Sequence, residues 1–142
     1  MGLSDMDLAT RLRSEMYRLV KVLRKETRND ELLSLTERST LALVYQYTEI
    51  LPGELALLEK VTTQAMSQII NHLLELGLIL KTPSEADRRK VIVTLTDAGK
   101  KLVRQRQAEK QEWLNRRIAE TLSAKEKQTL AEAIHILTKL IG

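Results

Sequence analysis

Cysteine is absent from the 142 residues. That excludes disulfides, thiolate zinc sites, catalytic thiols and cysteine-based redox sensing within the chain. Phenylalanine is absent too, and three tyrosines and one tryptophan are the whole aromatic complement. Leucine, isoleucine, valine, alanine and methionine must therefore fill any core. With only five glycines and two prolines, a chain this poor in turn-formers is expected to be mostly helix. The two histidines, His72 and His135, lie far apart, and neither is assigned to a metal. No run approaches the roughly 18 apolar residues of a membrane helix, and the N-terminus lacks the apolar stretch of a signal peptide. Met6 stands where a myristoylation signal places Ser or Thr. A cytoplasmic protein without membrane contact is expected. Gly-rich phosphate loops, a Ser/His/Asp set and metal-ligand spacings are all missing, so no catalytic residue, metal or cofactor is expected, and an enzyme is not expected.

Hydrophobic residues make up 43% of the chain and charged residues 30%, with a net charge of +4. That suits one ordinary domain with a buried core. The mild basic excess falls mostly after residue 101 and is compatible with a polyanionic partner.

Ser4 and Asp7 form a capping box that opens a helix expected from about Asp5 to Asn29. Its apolar stripe is Leu8, Leu12, Met16, Leu19 and Leu23, and the opposite face is basic. After a polar break at 28–31, Thr36 is read as the N-cap of a helix over about 37–49, with Leu41, Val44 and Tyr47 or Thr48 inward. Pro52 and Gly53 punctuate a very short helix ending near Glu59. Thr62 caps the next helix, which stops at Gly77. At 100° per residue Met66, Ile69, Ile70, Leu73 and Leu76 gather on one side, and Gln64, Ser67, Gln68, Asn71 and Glu75 on the other. That outer face is polar but nearly uncharged, whereas a face meant only for water usually carries Lys and Glu. Residues 78–82 and 91–95 read as a two-stranded hairpin with the tip Asp87-Arg88-Arg89-Lys90. A long helix from about Asp97 to Leu122 follows. A second capping box, Ser123 with Glu126, starts the last helix.

Helix, short helix, tight turn, amphipathic helix and hairpin together make a winged helix-turn-helix. The fold class is mainly α, with terminal helices flanking the winged part. A helix of this kind fits the major groove of B-DNA and reads base edges near its N-terminus, which nominates Thr62, Thr63, Gln64, Ser67, Gln68 and Asn71. Glutamine can pair two-pronged with adenine. At the wing, a guanidinium in the minor groove meets a narrow, strongly negative slot. This nominates Arg88, Arg89 and Lys90, with Asp87 near enough to orient Arg89. Arg38, Lys60 and Lys81 are candidate phosphate contacts. The competing readings are a solvated helix face and an ordinary surface charge run. His72 reads as an exposed histidine without a functional role, or as a phosphate contact.

Residues 36–99 resemble the winged helix-turn-helix of the MarR (multiple antibiotic resistance regulator) family of bacterial transcription factors. The resemblance rests on Glu54-Leu55-Ala56, on Met66-Ser67-x-Ile69-Ile70-x-x-Leu73, and on Leu76-Gly77-Leu78-Ile79. Most specific is Asp87-Arg88-Arg89, followed by Val91, Val93 and Leu95-Thr96-x-x-Gly99. It implies a homodimer, wings in the minor groove with Arg89 at the tip and Asp87 as its brace, and a repressor or activator that answers to a small, unidentified effector. Three features depart from the family pattern. Residues 57–61 are Leu-rich where a polar surface is usual, no first-helix thiol sensor exists, and few aromatics are available to line a phenolic-ligand pocket.

A dimer also has a physical argument. Leu8, Leu12, Trp113, Ile118, Leu130, Ile134, Leu137 and Leu140 form stripes that a small winged monomer would struggle to cover. The expected organisation is a dimerisation helix over 1–30, a DNA-binding domain over 34–99 and dimerisation helices over 100–142, without an independent second domain. The expected function is a homodimeric, sequence-specific, ligand-responsive repressor on a pseudo-palindromic operator in double-stranded DNA. The alternative is a winged-helix adaptor that binds proteins and not DNA.

Overall fold

The computed structural model describes residues 2–26 and 32–142. Six helices and three short strands follow in the order α1 (Asp5–Glu26), α2 (Leu35–Tyr47), β1 (Glu49–Ile50), α3 (Pro52–Glu59), α4 (Thr63–Glu75), β2 (Ile79–Pro83), β3 (Val91–Leu95), α5 (Asp97–Thr121) and α6 (Ala124–Ile141). The expected end of the first helix near Asn29 and the polar break at 28–31 lie outside the described residues. The backbone divides into two compact units, one of Met1–Arg28 with Ala108–Gly142 and one of Asn29–Gln107.

The second unit holds a single core. Leu41 and Val44 of α2, Leu55 of α3, Met66, Ile70 and Leu73 of α4, Ile79 of β2 and Val93 of β3 are all buried. Complete burial of such side chains contributes about 1.5–3 kcal/mol each, which is what holds two short helices and a hairpin that would not stand alone. Leu76, expected inward, is exposed at the end of α4, as is Tyr47 at the end of α2.

One expectation is corrected here and another is extended. Ser34, not Thr36, caps α2: its hydroxyl accepts the Glu37 N–H at 3.1 Å, and the Glu37 carboxylate accepts the Ser34 N–H at 2.9 Å. The reciprocal box needs an acid three residues on, and Ser34 has one, whereas Thr36 is followed at that distance by Ser39. The expected two-stranded hairpin is part of a three-stranded antiparallel sheet in the order β1-β3-β2. Glu49 pairs with Thr94 and Ile50 with Val93. Thr48, at φ 68°, turns the chain out of α2 into this added strand, which seals one edge of β3.

The turns around α4 follow from backbone hydrogen bonding. At the end of α3, Lys60 takes the left-handed conformation (φ 57°). Its N–H donates to the Leu57 carbonyl at 3.2 Å, and that of Val61 donates to Ala56 at 3.0 Å, a Schellman ending with lysine where glycine is usual. The end of α4 repeats the pattern with Gly77 at φ 72°: Gly77 donates to Leu74 and Leu78 to Leu73, both at 3.0 Å. The Leu-Thr-x-x-Gly run then ties this exit to α5. The Thr96 hydroxyl donates to the Gly77 carbonyl at 2.7 Å and accepts the Gly99 N–H at 3.0 Å. Gly99 has no room for a side chain, because a Cβ would lie 2.1 Å from the Leu78 carbonyl oxygen.

Gly99→Ala should therefore lower the unfolding free energy by about 1–3 kcal/mol through backbone displacement. Gly53→Ala, in open space on α3, should be neutral or stabilising. Urea denaturation of the two variants checks this, and equal stabilities would contradict the close approach.

Candidate nucleic-acid interface

The N-terminus of α4 is set by Thr62, whose hydroxyl accepts the Ala65 N–H at 3.0 Å. Thr62, expected to contact DNA, thus has its oxygen engaged as the helix cap. Beyond it, Thr63, Gln64, Ser67, Gln68 and Asn71 are all exposed. The Ser67 hydroxyl bonds back to the Thr63 carbonyl at 3.1 Å. The amides of Gln64, Gln68 and Asn71 have no partner among the described residues, so a row of paired donors and acceptors faces outward. Glu75, exposed at the C-terminal end of the same face, is its one charged side chain, so the face is nearly uncharged, as the sequence pattern implies.

The wing is a closed turn. Ser84 donates to the Lys90 carbonyl at 2.8 Å and Lys90 to the Asp87 carbonyl at 2.9 Å. Arg89 reaches back to Asp87 through two prongs, Nε to Oδ1 at 3.2 Å and Nη2 to Oδ2 at 3.4 Å, while its backbone N–H also donates to Oδ1 at 3.1 Å. The Arg89 guanidinium and N–H hold the Asp87 carboxyl below its usual range. The Arg89 side chain remains 91% exposed, so the brace orients the guanidinium without hiding it. Arg88, Lys90, Lys60 and Lys81 are exposed as well. Lys60 sits in the turn between α3 and α4, and Lys81 on β2. Arg38, another expected phosphate contact, is half-buried on α2. Val91 is exposed at the end of the ladder opposite Pro83.

His72, expected to be an exposed histidine without a role or a phosphate contact, has a partner on another helix. Its Nδ1 bonds to Oε2 of Glu37 on α2, and the two side chains are 43% and 10% exposed respectively. Thirty-five residues of separation left no local signal for this pair. Burial pushes the Glu37 pKa up, but the Ser34 N–H, the His72 imidazole and the Ser34 hydroxyl outweigh it and hold the carboxyl below its ordinary 4.5. The Arg104 guanidinium of α5 donates to the Tyr45 hydroxyl of α2 at 3.3 Å and lies 5.9 Å from its ring centre.

The other unit carries a different surface. Leu8, Leu130, Ile134 and Leu140 are exposed, and Leu12, Trp113, Ile118 and Leu137 are half-buried. Leu19 and Val22 of α1, Trp113 and Ile118 of α5 and Leu130 of α6 line an open groove of about 400 Å³, with Arg18 and Arg117 also on its wall. Among the described residues no cluster of His, Asp or Glu could hold a metal ion, and no helix is long and apolar enough to cross a membrane.

Comparison with known proteins falls on the same elements. Residues 33–91 match the MarR family model. An HTH-type transcriptional regulator of Mycobacterium bovis is 31% identical over 138 residues, covering 97% of this chain and 95% of that one. A transcriptional regulator protein of Pseudomonas aeruginosa superposes with a TM-score of 0.84 at 26% identity, over 99% of this chain and 98% of its own. Streptococcus pneumoniae FabT, solved in complex with DNA, shares the fold at a TM-score of 0.67 and 19% identity, with 97% of each chain covered. The fold and its bare, amide-rich helix define a winged helix-turn-helix transcriptional regulator. Within that class the chain belongs to the MarR family.

A carboxyl held low in the folded state stabilises the fold fully above its unfolded pKa and loses that contribution as pH falls through the folded one. The Glu37 contribution should accordingly fade as pH drops below about 4.5. Unfolding free energy measured by urea at stepped acidic pH should fall more steeply for the wild type than for Glu37→Gln. Parallel slopes would mean that Glu37 is not held low.

Proposed function

We propose that this regulator binds double-stranded DNA sequence-specifically as a homodimer and acts as a ligand-responsive repressor in the cytoplasm. One observation carries the DNA reading: an outward row of unpartnered amides on α4 occurs in the same compact unit as a wing whose arginine is held out by its own aspartate. Gln64 and Gln68 suit bidentate pairing with adenine, and Thr63 suits contact with a thymine methyl in the major groove. Arg89 enters the minor groove, where potential is most negative over narrow A·T steps. Arg88, Lys90, Lys60 and Lys81 neutralise phosphates, with Arg38 as a further candidate. Base readers and charge carriers are thus separate residues.

The homodimer rests on the apolar side chains that α1 and α6 leave exposed, beside the half-buried Trp113 and Ile118 of α5. A stable interface buries such a surface against a second copy, and two-fold symmetry then matches a pseudo-palindromic operator whose half-sites lie about 34–36 Å apart. The groove beside Trp113 supports an effector of small size. A ligand that favours one dimer arrangement shifts the population that can engage both half-sites. FabT, which shares this fold, was solved in complex with DNA, and that supports the same use of the fold here.

Fluorescence anisotropy with a duplex enriched from random DNA tests the reading. Affinity should fall steeply with salt, by about 0.9 logarithmic units per phosphate contact for each decade. Arg89→Ala should weaken binding by roughly 1–3 kcal/mol with the melting transition unchanged, and Gln64→Ala should relax specificity more than it weakens non-specific binding. Salt-independent binding, or an Arg89→Ala variant that binds as the wild type, would contradict it.

The dimer is tested separately. Static light scattering at micromolar concentration should give twice the chain mass, and a monomeric mass would remove the role assigned to the terminal helices.

A further inference from the structure

We propose that Glu37 and His72 form a brace that fixes the rotational setting of α4, making both of them positioning residues for base readout although neither belongs to the reading row. The proposal rests on the DNA reading above and deepens it.

The argument starts from what holds α4. Its buried face consists of Met66, Ile70 and Leu73, with Ile69 and Leu74 packed against the same core. Apolar contacts of this kind are non-directional, and methionine in particular adapts to small displacements. They hold the helix against the core, and a directional bond outside the apolar stripe adds to them a fixed angular reference. The Thr62 cap and the Gly77 ending fix the two ends. The described residues provide one side-chain hydrogen bond from the body of α4 to another element, that of His72.

The other half of the brace is well anchored. Glu37 is nearly buried, and its two carboxylate oxygens have different tasks: Oε1 accepts the Ser34 N–H that completes the α2 capping box, and Oε2 faces His72. An ionised carboxylate only accepts, so the hydrogen lies on Nδ1 of the imidazole. A charge-assisted bond of this kind is strong and directional. It grips α4 from outside the apolar stripe, where leverage against rotation is greatest. His72 stands one turn beyond Gln68 and next to Asn71, so the grip lies beside the residues that must be aimed. Side-chain tips lie about 5–6 Å from a helix axis, and a rotation of roughly 10° moves them by about 1 Å. Hydrogen bonds to base edges weaken steeply over that range. Loss of the brace should therefore degrade specific recognition while leaving the wing and phosphate contacts as they were.

The test compares the wild type with His72→Leu, His72→Asn and Glu37→Gln on two probes: a duplex enriched by the wild type from random DNA, and the same duplex with its sequence scrambled. Asparagine places an amide N–H near the position of Nδ1, and glutamine at 37 preserves the capping box, so these two variants keep the fold even if leucine at 72 does not. His72→Leu should lose roughly tenfold in affinity for the enriched duplex and less than twofold for the scrambled one. His72→Asn should recover most of the loss, Glu37→Gln should fall between, and all salt slopes should match the wild type. Equal losses on both probes, no loss on either, or no recovery with asparagine would overturn the brace. A salt slope reduced by about one unit in His72→Leu would also overturn it, because His72 would then be contacting a phosphate. Failure of the wild type to enrich any duplex would overturn the DNA reading and the brace together, whereas enrichment with all variants unchanged would overturn the brace alone.

Discussion

A recognition helix has to be held from one side, because the other side must stay bare. In most helices of a small domain, polar residues facing solvent are free to form local ion pairs and to add to stability. α4 gives that up along Thr63, Gln64, Ser67, Gln68 and Asn71. Its stability comes from Met66, Ile70 and Leu73 with Ile69 and Leu74 beside them, a threonine cap, a glycine ending and a link to α2. The rest of the unit serves that constraint. β3 lies at the centre of a small sheet, and Thr96 stitches the exit of α4 to the start of α5 through the Gly77 carbonyl. Gly99 lets the two backbones approach where any side chain would intrude.

Charge is kept off the helix and placed on the wing, and the physics of polyanions explains the arrangement. Cations contacting phosphates supply attraction that does not depend on sequence, whereas neutral amides on α4 would leave adenine edges as the natural target. On a projecting turn the cations supply that attraction without deciding sequence. Arg89 illustrates the compromise. A free arginine samples many rotamers and loses that freedom on binding, whereas Asp87 restricts it in advance through two prongs and a backbone contact. The +4 net charge is small, so what matters for this reading is where the charges stand more than how many there are.

Elements whose causes are local were legible in the sequence. The Thr62 cap, the Gly77 stop, the apolar stripe through Met66, Ile70 and Leu73, the Ser123–Glu126 box and the Asp87–Arg89 pair each involve residues within a few positions of one another. β3 has the bounds expected from its run of β-branched residues between the basic tip and Thr96. What escaped was non-local or too short. β1 has two residues, fewer than one alternation needs, and becomes a strand only because β3 offers it an edge. The cap of α2 was misplaced because two hydroxyl residues were available and only one had an acid at the right spacing. Lys60 in a left-handed turn goes against its own preference, and the surrounding carbonyl bonds override it. The Glu37–His72 pair joins residues on different helices, and no pattern along the chain announces a contact of that kind.

The central claim is that α4 reads the major groove while the wing occupies the minor groove beside it. Methylation interference on an enriched duplex addresses both at once, because guanine N7 lies in the major groove and adenine N3 in the minor. The account predicts interference at N7 positions within two symmetric half-sites and at N3 positions in adjacent A·T steps, with Arg89→Ala abolishing the N3 signal alone. Protein that binds equally well to fully methylated DNA, or an Arg89→Ala variant whose N3 pattern is unchanged, would contradict it.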